Sequence, residues 1–197
     1  MAAGSSCRCL ACGSSDRVRF IETPIPGAWI VDVERHADAR GFFARTYDAE
    51  AFRRQGLRTS FPQCSVSFNE QAGTVRGMHL QAAPHEEAKL VRCTAGAIWD
   101  VLVDLRPSSP AYCRSHAVEL THESRRALYI PEGVAHGFQT LTDATEVLYM
   151  ISAEYAPEAS RGYRWDDPAF GIEWPAAATR IMSDRDRTFP DFQRTAP

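Results

Sequence analysis

Ala97-Ile-Trp-Asp-Val-Leu-Val-Asp-Leu105 is the most hydrophobic stretch of the chain, and it decides the fold class. Its length and its β-branched residues are those of a strand rather than a helix, so we predict a central strand here. Thr94-Ala-Gly96, directly before it, has the composition of a tight turn, and another apolar run begins at Lys89. The pattern therefore predicts a β-hairpin over Lys89–Leu105.

Outward from this hairpin the apolar residues alternate with period two, and turn residues recur at roughly 8–12-residue spacing, which predicts an all-β chain. The predicted strands are Trp29–Arg35, Gly41–Tyr47, Gln63–Phe68, Thr74–Gln81, Lys89–Thr94, Ala97–Leu105, Cys113–Leu120, Ala127–Ile130, Gly137–Thr140 and Glu146–Ser152. One short helix is predicted over Asp48–Gly56, because Asp48 is a good N-cap and Gly56 a good stop. So many short strands with local connections fit a sandwich, a jelly roll or a closed barrel.

The length of 197 residues is that of one ordinary domain. We expect one β domain over residues 18–197, whose Pro-rich sequence after Trp165 forms a tail across the barrel. Residues 1–17 are expected to be a disordered leader. This leader contains Cys7, Cys9 and Cys12, but a zinc site wants four ligands and no fourth cysteine or histidine lies near.

The composition also excludes some classes of partner. A formal net charge of −3 gives no general attraction to nucleic acid or to an anionic membrane. No apolar run approaches the ~20 residues that span a bilayer, and the N-terminal residues lack the apolar core of a secretory signal. We expect a cytoplasmic protein with reduced cysteines.

Basic residues point to the chemistry. Of the 22 basic residues one is a lysine, Lys89, and the rest are arginines. An ammonium is a compact point charge, unlike the planar guanidinium, so a lone lysine is a candidate for work that arginine cannot do. Lys89 lies ten residues after His79 in the sequence. If both side chains point into the barrel, its cavity holds a base and a cation. Strict alternation places Arg76 and Met78 on one face of that strand, and His79 and Gln81 on the other, although strand twist and Gly77 could break this split.

His79 and His136 also suggest an alternative, since two strand histidines at this spacing are similar to the metal motifs of cupin barrels. The second histidine of the first motif is missing, because Leu80 and Gln81 follow His79. The residues that nominally complete a metal site are His85, Glu86 and Glu87. We do not predict a metal, because so few ligands align.

Several motifs together strongly resemble one family. They are Arg40-Gly-Phe-Phe43, Thr74-Val-Arg-Gly-Met-His-Leu-Gln81, Ala88-Lys-Leu-Val-Arg92, Ile98-Trp-Asp-Val-Leu-Val-Asp-Leu-Arg-Pro-Ser-Ser-Pro110, Tyr129-Ile-Pro-Glu-Gly-Val-Ala-His-Gly-Phe138, Trp165-Asp-Asp-Pro168 and Gly171-Ile-Glu-Trp-Pro175. In this order they resemble the dTDP-4-dehydrorhamnose 3,5-epimerase family, from about Thr23 to Asp186.

The resemblance implies a cupin-type jelly roll (a double-stranded β-helix) without metal or cofactor, usually a homodimer, that acts on nucleoside-diphosphate 4-keto-6-deoxy sugars. Matched position by position, it gives four catalytic residues: His79 as general base, Asp186 as the carboxylate that orients it, Lys89 beside the C4 oxygen and Tyr149 as acid. The substrate-binding positions are Arg40, Gln63, Arg76, Lys89, His136 and Tyr155, with Tyr155 stacking on the nucleobase.

These residue types suit the reaction. A hydrogen next to a ketone is acidic only if the enolate is stabilised, which requires a cation and donors at the ketone oxygen. A neutral imidazole is a suitable base at neutral pH, and a carboxylate fixes its tautomer. Inversion needs a base on one ring face and an acid on the other. Arginines suit the diphosphate.

The chain departs from the rhamnose-pathway pattern at three places. Arg45 stands where an acid is usual, Gln63-Cys64-Ser65 replaces a Gln-Asp-Asn-type segment, and Ser160 replaces a glutamate. We therefore expect epimerisation at C3, and also at C5, with the nucleotide and sugar left open. The alternatives are a C3 mono-epimerase, a ketoisomerase-like relative acting on a non-dTDP sugar, or a silent sugar-nucleotide-binding cupin.

Overall fold

Two antiparallel sheets face each other and form the walls of a barrel. The computed structural model describes residues 18–194, so the expected leader with Cys7, Cys9 and Cys12 lies outside the described residues. The strands are β1 (Val18–Glu22), β2 (Trp29–Val33), β3 (Arg35–Asp38), β4 (Gly41–Ala44), β5 (Gln63–Asn69), β6 (Val75–Gln81), β7 (Lys89–Ala95), β8 (Ala97–Asp104), β9 (Ser115–Thr121), β10 (Ala127–Ile130), β11 (Val134–Thr140), β12 (Thr145–Ile151) and β13 (Ser160–Gly162). The helices are α1 (Ala49–Arg54), α2 (Asp184–Arg187) and a 3₁₀ turn at Pro157–Ala159.

The strand order confirms the predicted fold class. One sheet has six strands in the order β1-β2-β10-β7-β12-β5, and the other has five in the order β13-β6-β11-β8-β9. Apart from β1–β2 and β8–β9, neighbouring strands within each sheet are not consecutive in sequence, as in a cupin-type jelly roll. Strands β3 and β4 form a separate two-stranded arm.

The predicted hairpin over Lys89–Leu105 is wrong. Strand β7 pairs with β10 and β12 in the six-stranded sheet, whereas β8 pairs with β11 and β9 in the other sheet. The chain turns at Gly96, whose φ of +74° favours glycine, and crosses between the sheets. Both strands place residues in the same core between the sheets, and β8 is also buried on its outer face, where Val101 and Val103 pack against the tail. The apolar pattern therefore cannot reveal which strands pair.

The main core lies between the sheets. Its buried residues come from both walls: Val91, Cys93, Leu128, Ile130 and Val147 from the six-stranded sheet, and Ile98, Leu102, Leu120, Val134 and Phe138 from the five-stranded sheet. Helix α1 places Phe52 against the outside of the first sheet. As predicted, Asp48 caps this helix by accepting a hydrogen bond from the Ala51 N–H at 2.8 Å, and Gly56 follows its end.

The tail after Trp165 lies across the barrel, as predicted. Its apolar side chains, with Phe170 the most buried, pack on the outer face of the five-stranded sheet against Met78 and Val101. Near the end of the tail, α2 places Asp186 next to β6, where its carboxylate accepts a hydrogen bond from the Gly77 N–H. This packing positions a distant carboxylate at the barrel wall. None of the helices in residues 18–194 is long and apolar enough to cross a membrane.

A bulge in β6 corrects the predicted side-chain faces. His79 lies opposite His136 and Arg76 opposite Phe138, so three steps along β6 match two along β11. Arg76 and His79 therefore share the inner face, while Met78 points outward into the tail packing. Gly77 is required here, because its φ is +123° and a Cβ would lie 2.5 Å from the Cα of Gly137.

Candidate active site

A cavity of about 480 Å³ opens between the two sheets. The six-stranded sheet contributes strands β5, β7 and β12, the other contributes β6 and β11, and the tail closes one side. The lining residues are Gln63, Ser65, Val66, Ser67, Arg76, His79, Leu80, Gln81, Glu87, Lys89, His136, Phe138, Tyr149, Ile151, Tyr155, Ser160, Ser183, Arg185 and Asp186. Eight of the nine predicted site residues line this cavity: His79, Lys89, Tyr149, Asp186, Gln63, Arg76, His136 and Tyr155.

His79 is paired with the tail carboxylate. Its Nε2 lies 2.8 Å from Oδ1 of Asp186, and the Gly77 N–H donates to Oδ2 at 3.2 Å. Burial alone would raise the pKa of Asp186, but the hydrogen bond and charge of His79 and the Gly77 N–H outweigh it, so this pKa is lowered. An ionised Asp186 accepts the Nε2–H of a neutral imidazole and leaves the Nδ1 lone pair available as a proton acceptor.

Tyr149 comes from the opposite wall. Its hydroxyl lies 3.2 Å from the Ser67 hydroxyl, and its ring meets the His136 ring edge-on with centroids 6.2 Å apart. Burial raises the pKa of Tyr149 well above its ordinary value; Asp100 raises it further, whereas the Ser67 hydrogen bond and Arg76 oppose the rise. The hydroxyl is therefore a protonated donor at neutral pH.

His136 forms a second histidine–carboxylate pair, which sequence reasoning missed. Its Nε2 lies 2.6 Å from Oδ1 of Asp100, and both side chains are buried, at 5% and 0% exposure. Oδ2 of Asp100 has no hydrogen-bond partner among the described residues. The available signal was a carboxylate at the centre of the most apolar strand, because such a group is rarely buried without a purpose.

Lys89 also has a carboxylate partner. Its Nζ lies 2.9 Å from Oε1 of Glu87, and the two side chains are 12% and 10% exposed. From the sequence, Glu87 is only a nominal metal ligand. The structure instead places it inside the cavity as the counter-ion of the lone lysine.

Arg76 is held by a neutral residue. Its Nε donates to Oδ1 of Asn69 at 2.8 Å, and the Asn69 amide donates to the Thr145 carbonyl at 3.1 Å. Tyr155 lines the mouth of the cavity and is 58% exposed. A flat aromatic side chain in this position is available for stacking.

Arg40 is the predicted site residue that the described chain does not bring to the cavity. It sits at the tip of the β3–β4 arm, its side chain is 90% exposed, and it pairs with Asp38 at 2.6 Å. The alternative metal site is not assembled either. His85 lies 3.8 Å from Glu158, and no group of three metal-binding side chains occurs within residues 18–194.

The comparison with known proteins gives the family. The sequence profile described as dTDP-4-dehydrorhamnose 3,5-epimerase matches residues 22–194. The chain belongs to this family. It is therefore an epimerase, an enzyme of the isomerase class.

Individual relatives agree with this assignment. The epimerase is 39% identical over 177 residues to the dTDP-4-dehydrorhamnose 3,5-epimerase of Sinorhizobium fredii, which covers 90% of this chain and 91% of that one. The crystal structure of the Bacillus anthracis enzyme of the same name, with TDP and PPi bound, superposes with a TM-score of 0.86 at 36% identity over 89% of this chain and 100% of that chain. A 3'-monoepimerase from Streptomyces bikiniensis in complex with dTDP-quinovose gives a TM-score of 0.80 at 34% identity, over 86% and 85% of the two chains.

Two of the three departures of this epimerase from the rhamnose-pathway pattern lie at the cavity, which Gln63, Ser65 and Ser160 line. The third, Arg45, pairs with Asp48 at 3.8 Å. Ser160, in place of the usual glutamate, accepts a hydrogen bond from Arg185 at 3.1 Å. Cys64 is exposed on β5, an edge strand that pairs with β12. The base, cation and acid candidates, His79, Lys89 and Tyr149, line the same cavity.

Proposed function

We propose that this protein epimerises a dTDP-linked 4-keto-6-deoxyhexose at C3 and C5 in deoxysugar biosynthesis. The observation that carries the proposal is the placement of the His79–Asp186 pair and the Tyr149 hydroxyl on opposite walls of one cavity that also holds Lys89. The names of the relatives support a dTDP-sugar substrate, and the Bacillus anthracis enzyme has TDP bound.

In the first step His79 removes the proton next to the C4 ketone. The C–H electron pair moves into the ring, and the C4 carbonyl becomes an enolate. Asp186 keeps the imidazole in the tautomer whose free nitrogen accepts the proton, and it stabilises the imidazolium that forms. The proton leaves the sugar on the side of the five-stranded sheet.

Lys89 stabilises the negative charge that develops on the C4 oxygen. An ammonium with low exposure interacts with an oxyanion far more strongly than a solvated one, because little water screens it. Since the charge appears mainly in the transition state, Lys89 contributes to turnover more than to substrate affinity.

Tyr149 then returns a proton from the six-stranded sheet. Because its pKa is raised, the hydroxyl holds its proton until a strongly basic carbanion is present. Delivery to the face opposite His79 inverts the carbon and restores the ketone. The tyrosinate and the imidazolium regain their starting protonation by exchange with solvent.

The remaining cavity residues bind the substrate. The Arg76 guanidinium is suited to the diphosphate, and His136 forms part of the wall beside the sugar. Gln63 and Lys89 lie on either side of Ile151 in the six-stranded sheet. Tyr155 stacks on the nucleobase at the open end. This arrangement places the sugar deep and the nucleotide near the mouth.

A C3 mono-epimerase is the second candidate, favoured by the likeness to the Streptomyces bikiniensis enzyme. The test incubates the protein with a dTDP-4-keto-6-deoxyhexose in deuterium oxide and follows both carbons by NMR. Deuterium at C3 and C5 with inversion at both supports the proposal, and deuterium at C3 alone supports the mono-epimerase. No incorporation contradicts both and leaves a binding protein. CDP- and GDP-linked sugars in parallel identify the nucleotide.

The proposal includes a homodimer in which Arg40 acts across the interface. Val66 and Phe68 on the edge strand β5 are 55% and 50% exposed, and Phe43 on the arm is 62% exposed. An unpaired edge with exposed apolar side chains next to the cavity is the kind of surface that a second copy covers. Arg40 binds substrate only if the partner's arm reaches the cavity.

Co-expression tests this arrangement. Mixed dimers of the Arg40→Ala and His79→Ala chains contain one cavity with both side chains intact, so activity returns on mixing. A monomer by light scattering, or inactive mixed dimers of two folded chains, would contradict the shared site.

A further inference from the structure

A carboxylate faces the lone lysine inside the cavity, although the proposed reaction does not use it. Glu87 and Lys89 are two residues apart, and their side chains meet at 2.9 Å. Ala88 between them is fully buried on the other side. Its N–H donates to the Ser152 hydroxyl at 2.8 Å, and its carbonyl accepts the Ser152 N–H at 2.9 Å. The clamped backbone therefore directs both neighbouring side chains into the cavity.

This pairing sets Lys89 apart from the other cations of the cavity. Arg76, Lys89 and Arg185 all line it. Within residues 18–194, Lys89 alone among these three forms a salt bridge with a carboxylate, whereas Arg76 and Arg185 are held by the neutral side chains of Asn69 and Ser160. Attraction of an anionic diphosphate does not require an acid here. The carboxylate must serve another purpose.

The flexibility of lysine supplies that purpose. A lysine side chain has four rotatable bonds and loses much entropy when its ammonium is fixed. A misplacement of about 1 Å at a reacting centre can cost 100-fold in rate. One hydrogen bond to Glu87 restrains the ammonium, and its remaining two N–H donors stay available for a ligand oxygen.

We propose that Glu87 is a positioning residue that holds the Lys89 ammonium where the substrate's ketone oxygen arrives. This rests on the proposed epimerase function. Glu87 acts through Lys89 and does not contact the reacting atoms. Because the pair is neutral as a unit, it restrains the cation without adding to the positive charge that binds the diphosphate.

The proposal predicts opposite effects on turnover and on binding. Glu87→Gln keeps the size of the side chain but removes its charge, so the ammonium is held less firmly and kcat falls about tenfold or more. The cavity becomes more positive by one charge, so dTDP binds as tightly as to the wild type, or more tightly. Substitution of a residue that only supports the fold would lower both kcat and dTDP affinity. Glu86→Gln is the matched control, because Glu86 is the exposed neighbour and carries the same charge.

The single lysine allows a direct readout that does not depend on activity. Protein labelled with ¹³C,¹⁵N-lysine gives one set of lysine side-chain NMR signals, which belongs to Lys89. Relaxation of the Cε methylene should show a rigid side chain in the wild type and in Glu86→Gln, and a mobile one in Glu87→Gln.

The outcomes separate the two proposals. Lower kcat, undiminished dTDP affinity by calorimetry and a mobile Lys89 in Glu87→Gln support the positioning role. An unchanged kcat in the active enzyme, an equal loss of kcat and dTDP affinity, or an equally rigid Lys89 overturns it. If the wild type itself exchanges no sugar hydrogen, the epimerase proposal fails, and the lysine relaxation still decides whether Glu87 positions Lys89.

Discussion

The cavity wall contains two histidine–carboxylate pairs that face each other across neighbouring strands but differ in how they are built. His79 of β6 lies opposite His136 of β11. The partner of His79 arrives from the C-terminal tail, 107 residues away, and the histidine side chain is 38% exposed. The partner of His136 comes from the adjacent strand β8, and both side chains are buried.

The two carboxylates also differ in their hydrogen bonds. Asp186 receives a backbone N–H in addition to His79, and these hydrogen bonds keep its carboxylate ionised. The His79 ring is half-buried and lines the cavity, so a substrate can reach it. One carboxylate oxygen of Asp100 has no hydrogen-bond partner in the described chain. The ring of its partner, His136, packs edge-on with the ring of Tyr149. We therefore infer that the first pair moves protons and the second holds the wall and contacts substrate.

The largest effect is expected on replacing the first histidine. His79→Asn removes the base, and hydrogen exchange at C3 and C5 should fall by about 10³-fold or more. The matched change His136→Asn should raise KM and leave exchange measurable. If His136→Asn abolishes exchange while His79→Asn retains it, the roles of the pairs are reversed.

A smaller loss is expected for Lys89→Arg. The substitution keeps the positive charge, but the planar guanidinium cannot occupy the space beside Glu87 as a compact point charge. Turnover should fall about 10²–10³-fold, as when an oxyanion donor is removed, with little change in dTDP affinity. Retention of most of the wild-type kcat would mean that any cation at this point of the wall suffices.

The two carboxylates provide the next test. Asp186→Asn should lower kcat about 100-fold through a wrong tautomer of His79. Asp100→Asn should mainly lower the free energy of unfolding, by about 1–3 kcal/mol, because it buries an amide donor without an acceptor. Rate constants and denaturant unfolding of both variants give the comparison. Equal effects on rate would show that both pairs serve the chemistry alike.

The smallest effect concerns acid stability. The folded-state pKa of Asp186 is lowered from 3.8, so its ionised form stabilises the fold above pH 3.8, and this contribution is lost as the pH falls through the lower folded value. Below pH 3.8 the wild type should therefore lose Tm more steeply than Asp186→Asn. Parallel Tm curves in this range would mean that the pair does not contribute to folding stability.

Local pattern predicts much of this architecture. The strands around His79 and Lys89 and the Asp48 cap follow from alternation and capping preference in their own segments. Local pattern does not predict that β7 and β8 belong to different sheets, because the same residues would be buried whichever strands they paired with. The shared face of Arg76 and His79 depends on the bulge at Gly77, which in turn depends on the close approach of Gly137 from another strand.

The candidate site is likewise predictable from the sequence only in part. The resemblance to a family placed His79, Tyr149 and Asp186 together, although Asp186 reads locally as part of a solvated charge run. The partners Asp100 and Glu87 were missed because a hydrogen-bond partner is set by tertiary contacts. A carboxylate inside an apolar strand was the one local sign of Asp100.

Tyr149→Phe is the decisive variant, because the proposed mechanism places proton removal and proton return on opposite walls. With one substrate in deuterium oxide, NMR follows deuterium incorporation and product configuration in the same sample. We expect exchange to survive at a reduced rate, since His79 still removes and returns the proton on one face, while inversion collapses. Undiminished inversion in Tyr149→Phe would show that another group delivers the proton and would contradict the two-wall mechanism.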